Sequence, residues 1–256
     1  MAYQSIFKRY ELKYLLTRSQ KELILQAMAP YMTADKYGRS TIRNIYYDTD
    51  SYRLIRRSIE KPKYKEKLRV RSYTLADSDS TVFVELKKKF DSIVYKRRIP
   101  MRERDAVSWL SGNAQCPADT QISREICYFL RYYESLTPKV FLSYEREAYY
   151  SSTDPSFRVT FDENILSRTD ALSLSEAPSG TSLLEEGYVL MEVKCAGGIP
   201  LWLVKVLSRE KIYKTSFSKY GEAYRRLIFP RMITKYQKEN VKKCHDQFSK
   251  EYSTQS

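Results

Sequence analysis

Three glutamate–lysine pairs, Glu11/Lys13, Glu85/Lys87 and Glu192/Lys194, each enclose a single aliphatic residue. Lys67-Leu68-Arg69-Val70-Arg71 repeats the spacing with bases alone, and Arg158, Thr160 and Asp162 alternate with Val159 and Phe161. Leu142, Tyr144 and Arg146 alternate with small or polar residues. Successive side chains of a β-strand point to opposite faces, so each run gathers its charges on one side. Arginine forks match phosphate oxygens, so the chemistry within reach is the binding of a polyanion: a phosphate-rich small molecule, nucleic acid or an anionic membrane surface. For any one strand the simpler reading is a half-buried sheet showing its charges to water. Two features weigh against that reading. The polar positions are nearly all Arg, Lys or Glu, and the Glu-x-Lys pair occurs three times. Turned inward on adjacent strands, the like charges would repel until a polyanion entered. Local conflict of that kind is what a functional site leaves in a sequence.

Other chemistries are poorly supplied. The sole histidine, His245, lies in the last dozen residues, which argues against His-dependent metal sites and triads. Cys116, Cys127, Cys195 and Cys244 form no CxxC pair; zinc is not expected, and reduced thiols suit a cytosolic protein. Seven glycines, with neither GxGxxG nor GxxxxGK, leave side chains to do the work of phosphate binding. Forty-five Lys and Arg against 31 Asp and Glu give a net charge of +14, which needs an anionic partner to offset self-repulsion. Nucleic acid is not expected: most of the 23 tyrosines fall at core spacings, and no RNP, KH or zinc-finger pattern is present. No apolar run approaches the roughly 18 residues of a spanning helix, and Met1 to Lys13 lacks a signal-peptide stretch. Those features predict a cytoplasmic location.

The elements that must position these residues are mostly strands. Alternation predicts them at Lys8–Leu16, Thr41–Asp48, Lys65–Thr74, Thr81–Lys88, Ile93–Met101, Lys139–Tyr149, Arg158–Asp162 and Tyr188–Lys194. Helices are predicted after a capping box at Ser19/Glu22, over Asp105–Leu110, over Thr120–Leu136 and over Leu201–Ile212. Residues 163–186 read as a long Ser-rich, acidic loop. One domain is expected over residues 1–232, followed by a polar basic tail over 233–256. The expected class is α+β: an antiparallel β-barrel tunnel with helices packed outside. Asp48 reads as a turn cap rather than a metal ligand, Trp109 and Trp202 as packing residues, and Gly197-Gly198 as a turn. Lys242 and Lys243 read as solvated.

The runs FKRYELKY, IRNIYYDT, KLRVRSY, FVELKKK, YKRRI, LSYEREAY, FRVTFD, VLMEVK and FSKY occur in that order. Together they resemble the VTC domain, the polyphosphate polymerase domain of the vacuolar transporter chaperone complex and of free-standing bacterial relatives. That domain lies within the triphosphate tunnel metalloenzyme superfamily, beside the CYTH proteins. The resemblance spans roughly residues 6 to 230. It implies a metal-dependent phosphotransferase that moves the ATP γ-phosphate onto inorganic polyphosphate, with ATP and polyphosphate as partners. It implies catalytic roles for Lys13, Arg69, Arg71, Lys87, Arg146, Arg158 and Lys219. Substrate contacts would come from Arg56, Lys96, Arg98, Lys194 and Ser218. Glu192, with Glu11, would hold manganese or magnesium. Arg9 stands where CYTH proteins carry a further glutamate, a departure that favours the polymerase branch. Alternatives on the same fold are a tripolyphosphatase or nucleoside triphosphatase, and a non-catalytic sensor of polyphosphate or inositol phosphates. Eukaryotic relatives work with membrane proteins, so a separately encoded membrane partner is a further expectation.

Overall fold

Apolar–polar alternation builds the strands of this protein, and eight of them join edge to edge through antiparallel ladders. A computed structural model describes residues 10–91, 93–234 and 236–237. The chain begins with β1 (Tyr10–Thr17), α1 (Arg18–Met28), β2 (Met32–Ala34), β3 (Ser40–Asp48) and α2 (Arg53–Ile59). It continues through β4 (Tyr64–Ser72), β5 (Thr81–Phe90), β6 (Ile93–Arg102), α3 (Glu103–Leu110) and α4 (Gln121–Tyr133). Then come β7 (Thr137–Ser151), β8 (Arg158–Arg168), β9 (Thr181–Ser182), β10 (Tyr188–Cys195), α5 (Leu201–Arg209) and α6 (Lys219–Ala223), and a π-helical turn over Tyr224–Ile228. The main path is β1-β10-β8-β7-β3-β4-β5-β6, with β2 added to β7 and β9 to β8.

The expected α+β antiparallel architecture is present, but the ladder does not close. β1 and β6 are its two ends and share no pairing among the described residues. Side chains and one irregular segment span the gap instead. Lys87 on β5 donates to Glu11 Oε2 on β1 at 3.2 Å. The free edge of β1 is covered by residues 214 and 215: Tyr14 bridges to Lys214, and the Thr215 amide donates to the Lys13 carbonyl at 2.7 Å. Covering an edge strand this way removes its unpaired backbone groups from solvent.

The two faces of the sheet divide as the alternation requires. Leu68, Val70, Val84, Leu86 and Ile99 pack under α3 and α4 through Trp109, Ile126 and Phe129. Tyr14, Leu16, Val159, Phe161, Met191 and Val193 pack under α1 and α5 through Ile24, Met28 and Leu203. The third cluster departs from the expectation of helices outside only. Tyr46, Leu142, Tyr144 and Leu190 lie on the charged face, where Ile55 of α2 and Tyr220 and Ala223 of α6 cover them. Two short helices therefore plug part of the concave side and set one wall of the site.

Several boundaries differ from the sequence reading, each for a local reason. The capping box belongs to Thr17 and Gln20, so Ser19 falls inside α1. The segment read as a loop from residue 163 remains strand to Arg168. The pairing passes from Ser143/Leu166 to Glu145/Glu163, so β8 carries an extra residue near Asn164, at φ 48°, which breaks the simple alternation that would have shown the strand. α2 is seven residues long, too short to announce itself by periodicity. Asp48 caps it: Oδ1 accepts from the Leu54 amide at 2.9 Å, and Oδ2 accepts from the Ile55 amide at 3.0 Å and from the Tyr220 hydroxyl at 2.9 Å. Trp109 is buried, and Trp202 stacks on Tyr31. Arg9, Lys242, Lys243, Cys244 and His245 lie outside the described residues, as does most of the expected tail.

Removing the Asp48 carboxylate takes away the cap of α2 and leaves a buried tyrosine hydroxyl unpaired. Asp48→Ala should destabilise the protein by about 2–3 kcal/mol, read as a lowered denaturant midpoint at unchanged m-value.

Candidate functional site

The concave face carries a buried network centred on two carboxylates. β1 and β10 pair so that Lys13 stands opposite Glu192, and β7 and β8 pair so that Arg146 stands opposite Asp162. Arg146 donates to both oxygens of Asp162, at 2.5 and 2.6 Å, and through its second arm to Glu192 Oε2 at 3.3 Å. Lys219, the first residue of α6, reaches down between them and donates to Glu192 Oε1 at 3.0 Å and to Asp162 Oδ2 at 2.5 Å. Lys13 completes the ring at 3.3 Å from Glu192 Oε1, and donates to the Phe217 carbonyl at 2.9 Å. Burial opposes the charge on Glu192, yet Lys219, Lys13 and Arg146 outweigh it and hold the carboxyl well below its usual range. The same balance, with Asp162 foremost among the anions, pushes Lys219 up.

A second group forms on β4, β5 and β6. Glu85 is 1% exposed and faces four cations. Arg69 lies at 2.8 Å, Lys96 at 2.7 Å, Arg98 at 3.4 Å and Arg71 at 3.9 Å. Arg71 also donates to Asn44 Oδ1 at 2.9 Å and the Tyr144 hydroxyl at 3.0 Å, and Arg69 donates to the Tyr46 hydroxyl at 2.9 Å. One carboxylate cannot saturate this many donors. Arg98 Nε and Arg158 Nε are buried without a hydrogen-bond partner, as is Thr160 Oγ1, which shares the strand face with Asp162 and Arg158.

Between the two groups the positive charge is in excess. Lys67 pairs across the ladder with Lys87, a direct like-charge juxtaposition. Its Nζ donates to Ser218 Oγ at 3.1 Å, and Ser218 in turn caps α6. Burial, then Lys87, Lys13, Lys65 and Arg69, bring the Lys67 amine down to about 7. Burial also brings Lys194 down to about 8, with Glu192 opposing and Arg146 adding to the fall. Lys87 beside Glu11 holds that carboxyl far below its usual range.

Nearly all the residues singled out from sequence converge here: Lys13, Arg69, Arg71, Lys87, Lys96, Arg98, Arg146, Lys194, Ser218, Lys219, Glu11 and Glu192. Arg158 is set toward the rim, where it lies 3.5 Å from Asp35 and over the Tyr150 ring. Arg56 is not brought to the cluster: it is exposed on α2, and none of the network's hydrogen bonds reaches it. Two residues were missed, Asp162 and Lys67. Both were visible in the strand alternation, Asp162 beside Arg158 and Thr160, Lys67 beside Arg69 and Arg71.

Two substitutions test this balance of charge. Lys67→Met removes a crowded cation from a well-packed strand and should raise the melting temperature of the ligand-free protein by about 3 °C or more at neutral pH. Glu85→Gln leaves its cations without an anion and should lower stability by roughly 3 kcal/mol. A fall in melting temperature for Lys67→Met would show that the lysine is not under repulsion. Because the folded protein binds the Lys67 and Lys194 protons less tightly than the unfolded chain, ligand-free stability should rise with pH from about 7 toward the ordinary lysine value of 10.5.

Comparison with known proteins follows the same lines. No curated protein matches the sequence. A candidate adenylate cyclase from Bacillus halodurans shares the fold, with a TM-score of 0.51 and 14% identity over 86% of this chain and 99% of that one. A candidate adenylyl cyclase from Hippeastrum, described as having a dominant triphosphatase activity, gives a TM-score of 0.46 and 13% identity over 85% of this chain and 95% of that one. Among the described residues no helix is long and apolar enough to cross a membrane. The VTC domain model matches residues 8–228, a span that holds every strand of the described residues and both charge groups, and the chain belongs to the VTC domain family.

Proposed function

We propose that the concave site binds the triphosphate of ATP beside the end of an inorganic polyphosphate chain and transfers the γ-phosphoryl group to it. The observation that carries this reading is Lys67: a half-buried lysine that stands opposite Lys87, donates to Ser218 and meets no carboxylate among the described residues, its amine brought down to about 7 by burial and then by the neighbouring cations. Such an arrangement is unfavourable alone and becomes favourable when several negative charges arrive together.

Phosphoryl transfer asks a protein for positioning and charge neutralisation more than for covalent help. A terminal oxygen of the polyphosphate attacks the γ-phosphorus, and the bond from that phosphorus to the β,γ-bridging oxygen breaks. ADP leaves with the electron pair, and the chain is one phosphate longer. When the attacking oxygen is already ionised no proton has to move, so the scarcity of histidine is no obstacle. Arg69, Arg71, Lys96 and Arg98 supply forks and ammonium groups for non-bridging oxygens. Arg146, Lys219 and Lys13 are fixed by Asp162 and Glu192, so their charges need no reorganisation when the transition state forms.

The donor set fits a hard divalent cation. Glu11 and Glu192 already share one cation, since Lys13 Nζ lies 3.5 Å from one and 3.3 Å from the other. Among the described residues no cluster of three or more metal-ligating side chains forms. Magnesium or manganese is commonly held by one or two carboxylates, with phosphates and water completing the shell. Glu192 and Glu11 would hold it, and bound there it would offset charge on the phosphate oxygens.

The test is a time course with ATP and manganese, or magnesium, resolved on a polyphosphate gel beside Glu192→Ala and Arg69→Ala. The reading expects long anionic chains from the unaltered protein and at least a hundredfold loss in each variant. ATP hydrolysis without chain growth would overturn it in favour of a triphosphatase. Tripolyphosphate binding without turnover would overturn it in favour of a sensor.

A further inference from the structure

The like-charged pairing of Lys67 with Lys87 is not the outermost one. One step further toward the β5–β6 hairpin, Lys65 stands directly opposite Lys89 in the ladder. Side chains two residues apart on a strand share a face, so this pair extends the inward-facing column of Arg69 and Lys67 by one rung, about 7 Å away. Both lysines are half-buried, and neither forms an ion pair among the described residues. Lys65 donates only to the Ser58 carbonyl on α2, at 3.2 Å. Burial and then Lys89, Lys87, Lys61 and Lys13, all cations, oppose its charge. Cross-strand like charges weaken a sheet, and among the described residues no carboxylate pairs with either lysine to offset this. The outward-facing neighbours are treated differently: Lys88 pairs with Glu125 at 3.6 Å, and Glu66 accepts from the Tyr133 hydroxyl at 2.9 Å. On the outer face beside this rung Glu66 also stands opposite Lys88, so charges of both signs meet there, whereas the inward rung holds cations alone.

We propose that the Lys65–Lys89 rung is an outer subsite that holds phosphates of a polymer beyond those lodged between Lys67, Arg69 and Glu192. It rests on the proposed binding of polyphosphate in the interior. The rung gives the path a direction: the polymer leaves over the inward face of the β4–β5 ladder at its Tyr64/Phe90 end, beside the C-terminal end of α2. A ligand of three phosphates fills the interior and gains little from it, whereas a long chain reaches it.

Binding separates the possibilities. The affinities of tripolyphosphate and of long-chain polyphosphate are measured for the intact protein, the Lys65→Ala/Lys89→Ala variant and the charge-keeping Lys65→Arg/Lys89→Arg variant. Ligand-free melting curves confirm folding, and the alanine variant should melt no lower than the parent. The expected result is a tenfold or greater loss for the long chain in the alanine variant, a change at least fivefold smaller for tripolyphosphate, and recovery in the arginine variant. Equal loss for both ligands, or no loss for the long chain, would overturn the subsite. Neither measurement involves ATP turnover. A protein that binds both ligands with this discrimination yet never lengthens a chain would sink the transferase reading and leave the rung in place.

Discussion

Cations facing one another across a curved sheet are the constraint on which this structure turns. Lys67 opposite Lys87, and Lys65 opposite Lys89, raise the free energy of the ligand-free protein, and only a rigid frame keeps them together. The frame is the ladder of eight strands, made stiff by apolar clusters on its outer face. The same alternation that sends Leu68, Val70 and Leu86 outward to α3 and α4 sends Lys67, Arg69 and Lys87 inward. Stability and frustration therefore come from one pattern, read on its two faces.

The carboxylates keep that surplus ordered without cancelling it. Asp162, fully buried, binds Arg146 and Lys219 so tightly that it has no free oxygen for a metal; its role is to aim the cations. Glu192 and Glu11 are held at longer distances: they share Lys13 at 3.3 and 3.5 Å, Glu192 also accepting from Lys219 and Arg146 and Glu11 from Lys87. α6 ties the two halves of the site together, because Lys219 enters the Asp162–Glu192 network while Ser218, its cap, receives Lys67 from β4. The position of α6 depends in turn on α2 and on Asp48, whose carboxylate caps α2 and accepts from Tyr220.

Strand faces were legible from sequence because a period of two needs only local information. The column Lys67-Arg69-Arg71 shares one face, as do the Glu and Lys about each single aliphatic, although among the described residues only Glu11 and Lys13 pair with each other and the other carboxylates take partners from neighbouring strands. Features set by distant contacts were not legible. Nothing local announces that residues 214 and 215 cover the β1 edge, or that the ladder stays open and is bridged by Lys87 and Glu11. α2, at seven residues, is defined by a carboxylate five residues before its start rather than by its own periodicity. Motif order likewise could not say that a short helix leaves Arg56 exposed and outside the hydrogen-bonded network. Asp162 and Lys67 were overlooked for the opposite reason. Their strand positions were plain, but family motifs drew attention to their neighbours.

The central claim is that the interior holds more cations than its carboxylates offset until a polyphosphate supplies the balance. Calorimetric titration with tripolyphosphate at pH 8, repeated in buffers of different ionisation enthalpy, tests it directly. Lys67 and Lys194, brought down to about 7 and 8, are largely or partly neutral there and must take up protons when the phosphates arrive. The account predicts net proton uptake on binding, smaller at pH 6.5 and reduced in Lys67→Met. Binding with no proton uptake at either pH would contradict it.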